Sequence, residues 1–181
     1  AVGLAQQAIN KPELQKKHLA RCELEVSRLN EMISDVLSLS RLENTFQKIN
    51  LQTVHLDELL ADICQDCQYL ADEKHILIAM KHFFSLDLPG DQNLLSSAFS
   101  NVIINAIKYS PKHSEVVISM ASVILNQQDS IKIIISDSGN GVPQGTIEKL
   151  FQPFYRVDEA RDRNTGGTGL GLAIAQQAVL A

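Results

Sequence analysis

Between residues 13 and 43, apolar side chains recur at Leu19, Cys22, Val26, Leu29, Ile33 and Val36, stepping by three and four in alternation. That spacing predicts one long helix carrying a heptad seam. Leu24, Met32, Leu37, Leu39 and Leu42 widen the stripe beyond what a two-stranded seam buries. Residues 1–9 are helix-compatible and end at Asn10-Lys11-Pro12, a turn signal followed by a proline suited to a first helical turn. The expectation is an α-helical hairpin that dimerises into a four-helix bundle. The alternative is a hairpin packed on the domain that follows.

After Asn44 the pattern changes, which puts a domain boundary near 45 and separates a helical part, 1–45, from a larger part, 46–181. Residues 48–56 alternate loosely and predict a strand. A helix is expected over 56–74, with Asp57 at the end of the dipole that favours a carboxylate. Strands are expected at 75–80 and 86–88, before the Pro89-Gly90 turn. Residues 91–109 predict a helix with Leu94, Leu95, Ala98, Phe99, Val102, Ile103 and Ala106 on one broad face. It should stop at Ser110-Pro111, because the residue before a proline avoids the helical region. The β-branched runs 116–125 and 131–136 flank Asn126-Gln127-Gln128-Asp129 and predict a hairpin. A short helix at 146–150, a glycine-rich loop and a helix from about 170 complete the pattern. Helices and strands mix without a βαβ rhythm, so the expected class is an α/β sandwich, a mixed sheet with helices on one face.

Composition narrows the function. Across 181 residues the hydrophobic fraction is 45% and the charged fraction 20%, which fits a folded domain. A net charge of −5 gives no global basic field for nucleic acid or an anionic membrane, so an anionic ligand must be held by local groups. No apolar run is long enough to span a bilayer, and no signal peptide is visible. The chain opens on Ala1 and ends inside an apolar periodic segment, and so reads as a piece of a longer protein. Cys22, Cys64 and Cys67 are an odd number and suggest no disulfide framework. Cys64 and Cys67 form a C-x-x-C without a second ligand pair, and read as small residues on a helix in a reducing cytoplasm.

Four segments carry candidate chemistry. Asn101, Asn105 and Lys108 fall at i, i+4 and i+7, one face of the 91–109 helix. An Asn carbonyl oxygen can ligate Mg²⁺, and a Lys can meet a phosphate; a plain polar helix face is the alternative. Asp137-Ser138-Gly139-Asn140-Gly141 follows an apolar strand. Its acid can accept a hydrogen bond from an exocyclic amine, and its glycines let backbone lie against a flat ring; an ordinary glycine turn is the alternative. Phe151-Gln152-Pro153-Phe154-Tyr155-Arg156, leading to Arg161 and Arg163, suggests a loop with an aromatic anchor and phosphate-pairing arginines, unless the arginines only balance nearby acids. Gly166-Gly167-Thr168-Gly169-Leu170-Gly171 opens an apolar helix and offers backbone N–H groups to phosphate. It is neither a Walker loop nor a dinucleotide fingerprint.

In this order the segments resemble the N, G1, F and G2 boxes of the histidine kinase catalytic domain, a Bergerat-type member of the gyrase–Hsp90–kinase–MutL (GHKL) ATPase fold. The similarity runs from about residue 90 to the C-terminus. The helical part resembles the second half of the family's dimerisation and phosphoacceptor domain. The resemblance implies ATP and Mg²⁺ as ligands, with Asn105 coordinating the metal, Asn101 supporting it, Lys108 meeting the phosphates and Tyr109 lying against the nucleotide. It implies that Asp137 binds the adenine amino group, supported by the turn at Gly139 and Gly141. Arg156 and Arg161 would bring positive charge to an ATP lid. Gly167, Thr168, Gly169, Leu170 and Gly171 would form the hinged loop at the triphosphate.

The implied enzyme transfers the γ-phosphoryl group of ATP to a histidine and then to an aspartate of a response regulator, as a homodimer, in the cytoplasmic portion of a bacterial inner-membrane protein. Asn105 and Lys108 would carry the catalytic positioning. Two departures stand out. None of His18, His55, His75, His82 or His113 lies in the family's His-Glu/Asp-Leu-Arg-x-Pro segment, so this chain is expected to bind ATP and Mg²⁺ without phosphorylating itself. The family's closing pair of strands is also expected beyond residue 181. The competing readings are a MutL- or gyrase-like ATPase, which would place a Glu on the N-box helix, and a non-catalytic nucleotide-binding dimerisation module.

Overall fold

The computed structural model describes residues 12–45, 49–157 and 168–180. The first arm of the expected hairpin, at 1–9, lies outside the described residues. Its second arm is α1 (Pro12–Thr45), a helix of 34 residues with Pro12 in its first turn, where a missing N–H costs nothing. Leu19, Val26, Leu29, Met32, Ile33, Val36 and Leu37 are exposed, so these members of the stripe are uncovered in the single chain. No described helix is long and apolar enough to cross a membrane.

Strand β1 (Gln52–His55) pairs antiparallel with β3 (Asp87–Gly90), setting Val54 opposite Leu88. The expected helix over 56–74 is two: α2 (Leu56–Asp66) and α3 (Gln68–Lys74). The break falls at Cys67, whose φ of −82° and ψ of −6° lie in the bridge region between helix and strand. His75 is the left-handed cap of α3, not a strand residue, and β2 (Leu77–Lys81) starts two residues later.

Helix α4 (Gln92–Tyr109) matches its expected span. Its N-cap, Asp91, accepts hydrogen bonds from Asn93 N at 3.0 Å and Leu94 N at 3.3 Å, and from Asn50 N at 3.0 Å. Strand β4 (Glu115–Leu125) and β5 (Gln128–Ser136) form the hairpin. Its loop is shorter than expected: Asn126 and Gln127 alone make it, with φ of 50° and 64°, the left-handed pair of a type I′ turn. Strand β2 runs parallel to β4, and β4 antiparallel to β5, giving the order β2-β4-β5. The short helix after the glycine turn is 3₁₀, Ile147–Phe151, and α5 (Gly171–Leu180) closes the described chain.

Alternation on β4 buries Val116, Ile118 and Met120 on one face. The first two pack with Leu59, Ile63 and Cys64 from α2 and with Ile103, Ala106 and Ile107 from α4. Met120 packs with Leu56 and Leu60. The helices therefore cover one face of the mixed sheet, the expected α/β arrangement. A second apolar cluster, Ala98, Leu170, Ile174, Ala175 and Ala178 with Leu94 and Val102, seats α5 on α4. That contact carries the glycine-rich loop to the polar face of α4.

Candidate functional site

Helix α4 divides its faces as the sequence requires. Ile103, Ala106 and Ile107 are buried against the sheet, while Asn101, Asn105 and Lys108 are half-buried on the other side. The Asn101 amide donates from Nδ2 to Ser97 O at 2.9 Å, one turn earlier, which fixes its orientation. Asn105 and Lys108 have no side-chain partner among the described residues. A half-buried amide and an ammonium left in this state are suited to a ligand. Tyr109 is exposed at the end of the helix.

Strand β5 ends at Ser136 and delivers Asp137 to the same end of α4. Asp137 Oδ1 accepts from Gly139 N at 2.7 Å, closing a tight turn, and Oδ2 has no partner among the described residues. A Cβ on Gly139 would stand 2.9 Å from the Tyr109 carbonyl oxygen and 2.8 Å from Asp137 Oδ1. The position therefore needs glycine for close approach, not for a left-handed backbone. Gly141, with φ of 69°, needs it for the backbone. Buried Ser110 completes the joint: its Oγ accepts from Ser138 N at 3.3 Å.

The loop after the 3₁₀ helix is pinned at its stem. Phe154 N donates to Gly169 O at 3.0 Å. Phe154 has φ of 65°, unusual for an aromatic residue, and Gly169 has φ of 75°. A Cβ on Gly169 would meet Phe154 Cα at 3.0 Å and its carbonyl carbon at 2.9 Å. The backbones before and after the 158–167 segment thus touch. Thr168 Oγ1 accepts from Leu170 N at 3.2 Å, and Leu170 is fully buried. A Cβ on Gly171 would stand 2.7 Å from Asn101 Oδ1, so the helix start lies directly over the N-box amide. Arg156 is half-buried and already engaged by a protein neighbour. Arg161 and Gly167 lie outside the described residues.

Asn101, Asn105, Lys108, Tyr109, Asp137 and Gly139 therefore gather about α4, with Leu170 and Gly171 along its side. Among the described residues no group of three or more His, Cys, Asp or Glu could hold a metal ion. A divalent ion at Asn105 would need further oxygens from its ligand and from water, which is how Mg²⁺ is commonly held. Sequence reasoning missed Lys74, whose Nζ donates to the carbonyl oxygens of Ile107, Lys108 and Ser110 at 3.0, 2.6 and 2.8 Å. Burial, and then the charge of Lys112, lower its pKa. It also missed the Ser110 joint, whose only sequence signal was the Ser-Pro helix stop.

This fold and box geometry define a GHKL-type nucleotide-binding domain. Residues 90–181 match the family model described as histidine kinase-, DNA gyrase B-, and HSP90-like ATPase, and the chain belongs to that family. Sensor histidine kinase CpxA of Escherichia coli (strain K12) is 34% identical over 172 residues, covering 91% of this chain and 35% of that protein. The chain thus spans about a third of the length of the curated relatives it matches. Among solved structures, Acinetobacter baumannii histidine kinase AdeS aligns with a TM-score of 0.67 and 22% identity, covering 97% of this chain and 80% of that one. Full-length ShkA in complex with AMPPNP aligns with a TM-score of 0.72 and 22% identity over 92% of this chain and 34% of its own. At that identity both support the fold alone.

Proposed function

We propose that this chain is the ATP-binding catalytic portion of a sensor histidine kinase, with residues 1–45 belonging to its dimerisation part and 46–181 to its catalytic domain. The observation that carries the reading is the convergence on α4. The Asp137 turn packs on Tyr109, the glycine-rich loop packs on Asn101, and unpartnered Asn105 and Lys108 lie along the same helix. The length of α1 and the exposed apolar side chains from Leu19 to Leu37 on it favour a dimeric kinase over a MutL- or gyrase-like ATPase. The absence of Glu beside Asn101 and Asn105 on the polar face agrees.

The donor set fits a magnesium nucleotide. Bound Mg²⁺ would supply positive charge to the phosphate oxygens. Asn105 offers it a neutral carbonyl oxygen, and Asn101, locked to Ser97 O, keeps the neighbouring surface polar. Lys108 places a point charge beside the phosphates, joined by the lid arginines Arg156 and Arg161. Asp137 Oδ2 accepts the adenine amine and so prefers ATP to GTP. Tyr109 lies along the nucleotide. Gly169 and Gly171 would offer backbone N–H groups to the triphosphate at the positive end of α5, with Gly167, Thr168 and Leu170 completing the hinged loop. These residues bind and orient; the attacking nitrogen belongs to a histidine outside this chain.

In the whole protein the phosphoryl group passes to that histidine and then to the receiver aspartate of a response regulator. The domain works on the cytoplasmic side of a bacterial inner membrane. Incubation of the folded chain with γ-labelled ATP and Mg²⁺ tests the assignment. Nucleotide binding without self-phosphorylation is expected, and stable phosphate on any of the five histidines would refute it.

A further inference from the structure

The corner where α4 ends is held by a residue that none of the four boxes contains. An α-helical carbonyl normally accepts from the N–H four residues on. For Ile107 that residue is Pro111, which has no N–H. Ser110 has already turned to an extended conformation, with ψ of 144°. The last carbonyls would be left to water. The Lys74 ammonium takes them instead, donating to Ile107 O, Lys108 O and Ser110 O. A cation at this end of a helix also meets the negative pole of the dipole. From its own backbone, Lys74 O accepts from His113 N at 3.1 Å, so both ends of the 110–113 turn are tied to one residue.

What Lys74 holds is the joint between the two halves of the site. Lys108 and Tyr109 form the last turn of α4, the Tyr109 carbonyl abuts Gly139, and Ser110 Oγ accepts from Ser138 N. We propose that Lys74 is a positioning residue that sets the separation between the phosphate-binding face of α4 and the adenine-binding Asp137 turn, and so governs ATP affinity and base preference without touching the nucleotide. The inference rests on the reading of this pocket as an ATP site.

The test compares Lys74→Met, which keeps the length and loses the donors, with Lys74→Arg, which keeps charge and donors. ATP and GTP affinities are measured by calorimetry on the whole chain, at a temperature where circular dichroism shows each variant folded. Lys74→Met should weaken ATP binding by about tenfold and narrow the ATP preference, because ångström-scale misplacement is costly in a preorganised site. Lys74→Arg should recover most of the loss. If Lys74→Met lowers only the melting temperature, or Lys74→Arg is as weak as Lys74→Met, the inference is wrong. Should Lys74→Met not fold, Ser110→Ala, which removes the acceptor for Ser138 N, must weaken ATP in the same sense. If the wild-type chain takes up no ATP, the proposed function fails by itself. The Lys74 inference is then read from ligand-free spectra: the amide resonances of Ser138 and Gly139 must shift in Lys74→Met, and unchanged resonances overturn it.

Discussion

The α-carbon of Gly171 lies so close to Asn101 that an added Cβ would stand 2.7 Å from the amide oxygen. The loop that opens α5 and the polar face of α4 are therefore fitted to each other across a gap with no room for a methyl group. The Asn101 carboxamide can turn aside, at the cost of its bond to Ser97 O. Gly171→Ala should then change stability little, since alanine's better helix propensity, about 1 kcal/mol, offsets the lost bond. Its cost should appear in nucleotide affinity, as a loss of about tenfold. Thermal melts and calorimetry together check this, and an unchanged affinity contradicts the close fit.

Asp137 has one observed contact and one proposed contact that a substitution can separate. Its Oδ1 closes the turn to Gly139 N, and its Oδ2 is proposed to accept from the adenine amine. Asp137→Asn keeps a carbonyl oxygen for the turn and removes the charge. ATP binding should fall by roughly 10- to 100-fold, the range expected for a hydrogen bond to a charged group, while GTP binding changes little. Competition between the two nucleotides for the folded variant measures it. Equal losses for both would assign Asp137 to the turn alone.

The C-x-x-C pair should be chemically quiet. Cys64 and Cys67 are buried in the main core, and desolvation pushes the Cys64 thiol up to about 11. At pH 8 a thiol of that pKa is ionised only to about one part in a thousand, and the thiolate is the reactive form. Because the shift belongs to the folded state, unfolding should restore ordinary reactivity. With iodoacetamide, mass spectrometry should find half-buried Cys22 labelled first, and Cys64 and Cys67 labelled only on denaturation. Rapid double labelling of the native chain would argue against their burial.

Local signals made much of the fold legible, and long-range ones hid the rest. The span of α4 could be read because Asp91 caps its start and Ser110-Pro111 ends it, both short-range effects. The break at Cys67 could not, because the apolar spacing continues across it from Leu56 to Ala71 and nothing nearby forbids a helix. The hairpin loop was overestimated because Gln128 and Asp129 are polar, yet they extend β5 opposite Leu125 and Ile124. At the site, the glycines of the boxes announced close approaches, and Gly139 and Gly171 make them. Lys74 announced nothing: its three acceptors lie 33 to 36 residues away, and one lysine after a pair of acids carries no motif.

The proposed function requires a single ATP pocket formed by α4, the Asp137 turn and the loop at Gly169–Gly171. Titration of ATP and Mg²⁺ into the folded chain, beside an Asn105→Ala copy of equal stability, addresses it most directly. Saturable binding is expected for the parent chain, with at least about a tenfold loss in the variant when Mg²⁺ is present and a smaller one when it is chelated. Identical behaviour of the two chains, or no uptake of ATP by either, would contradict it.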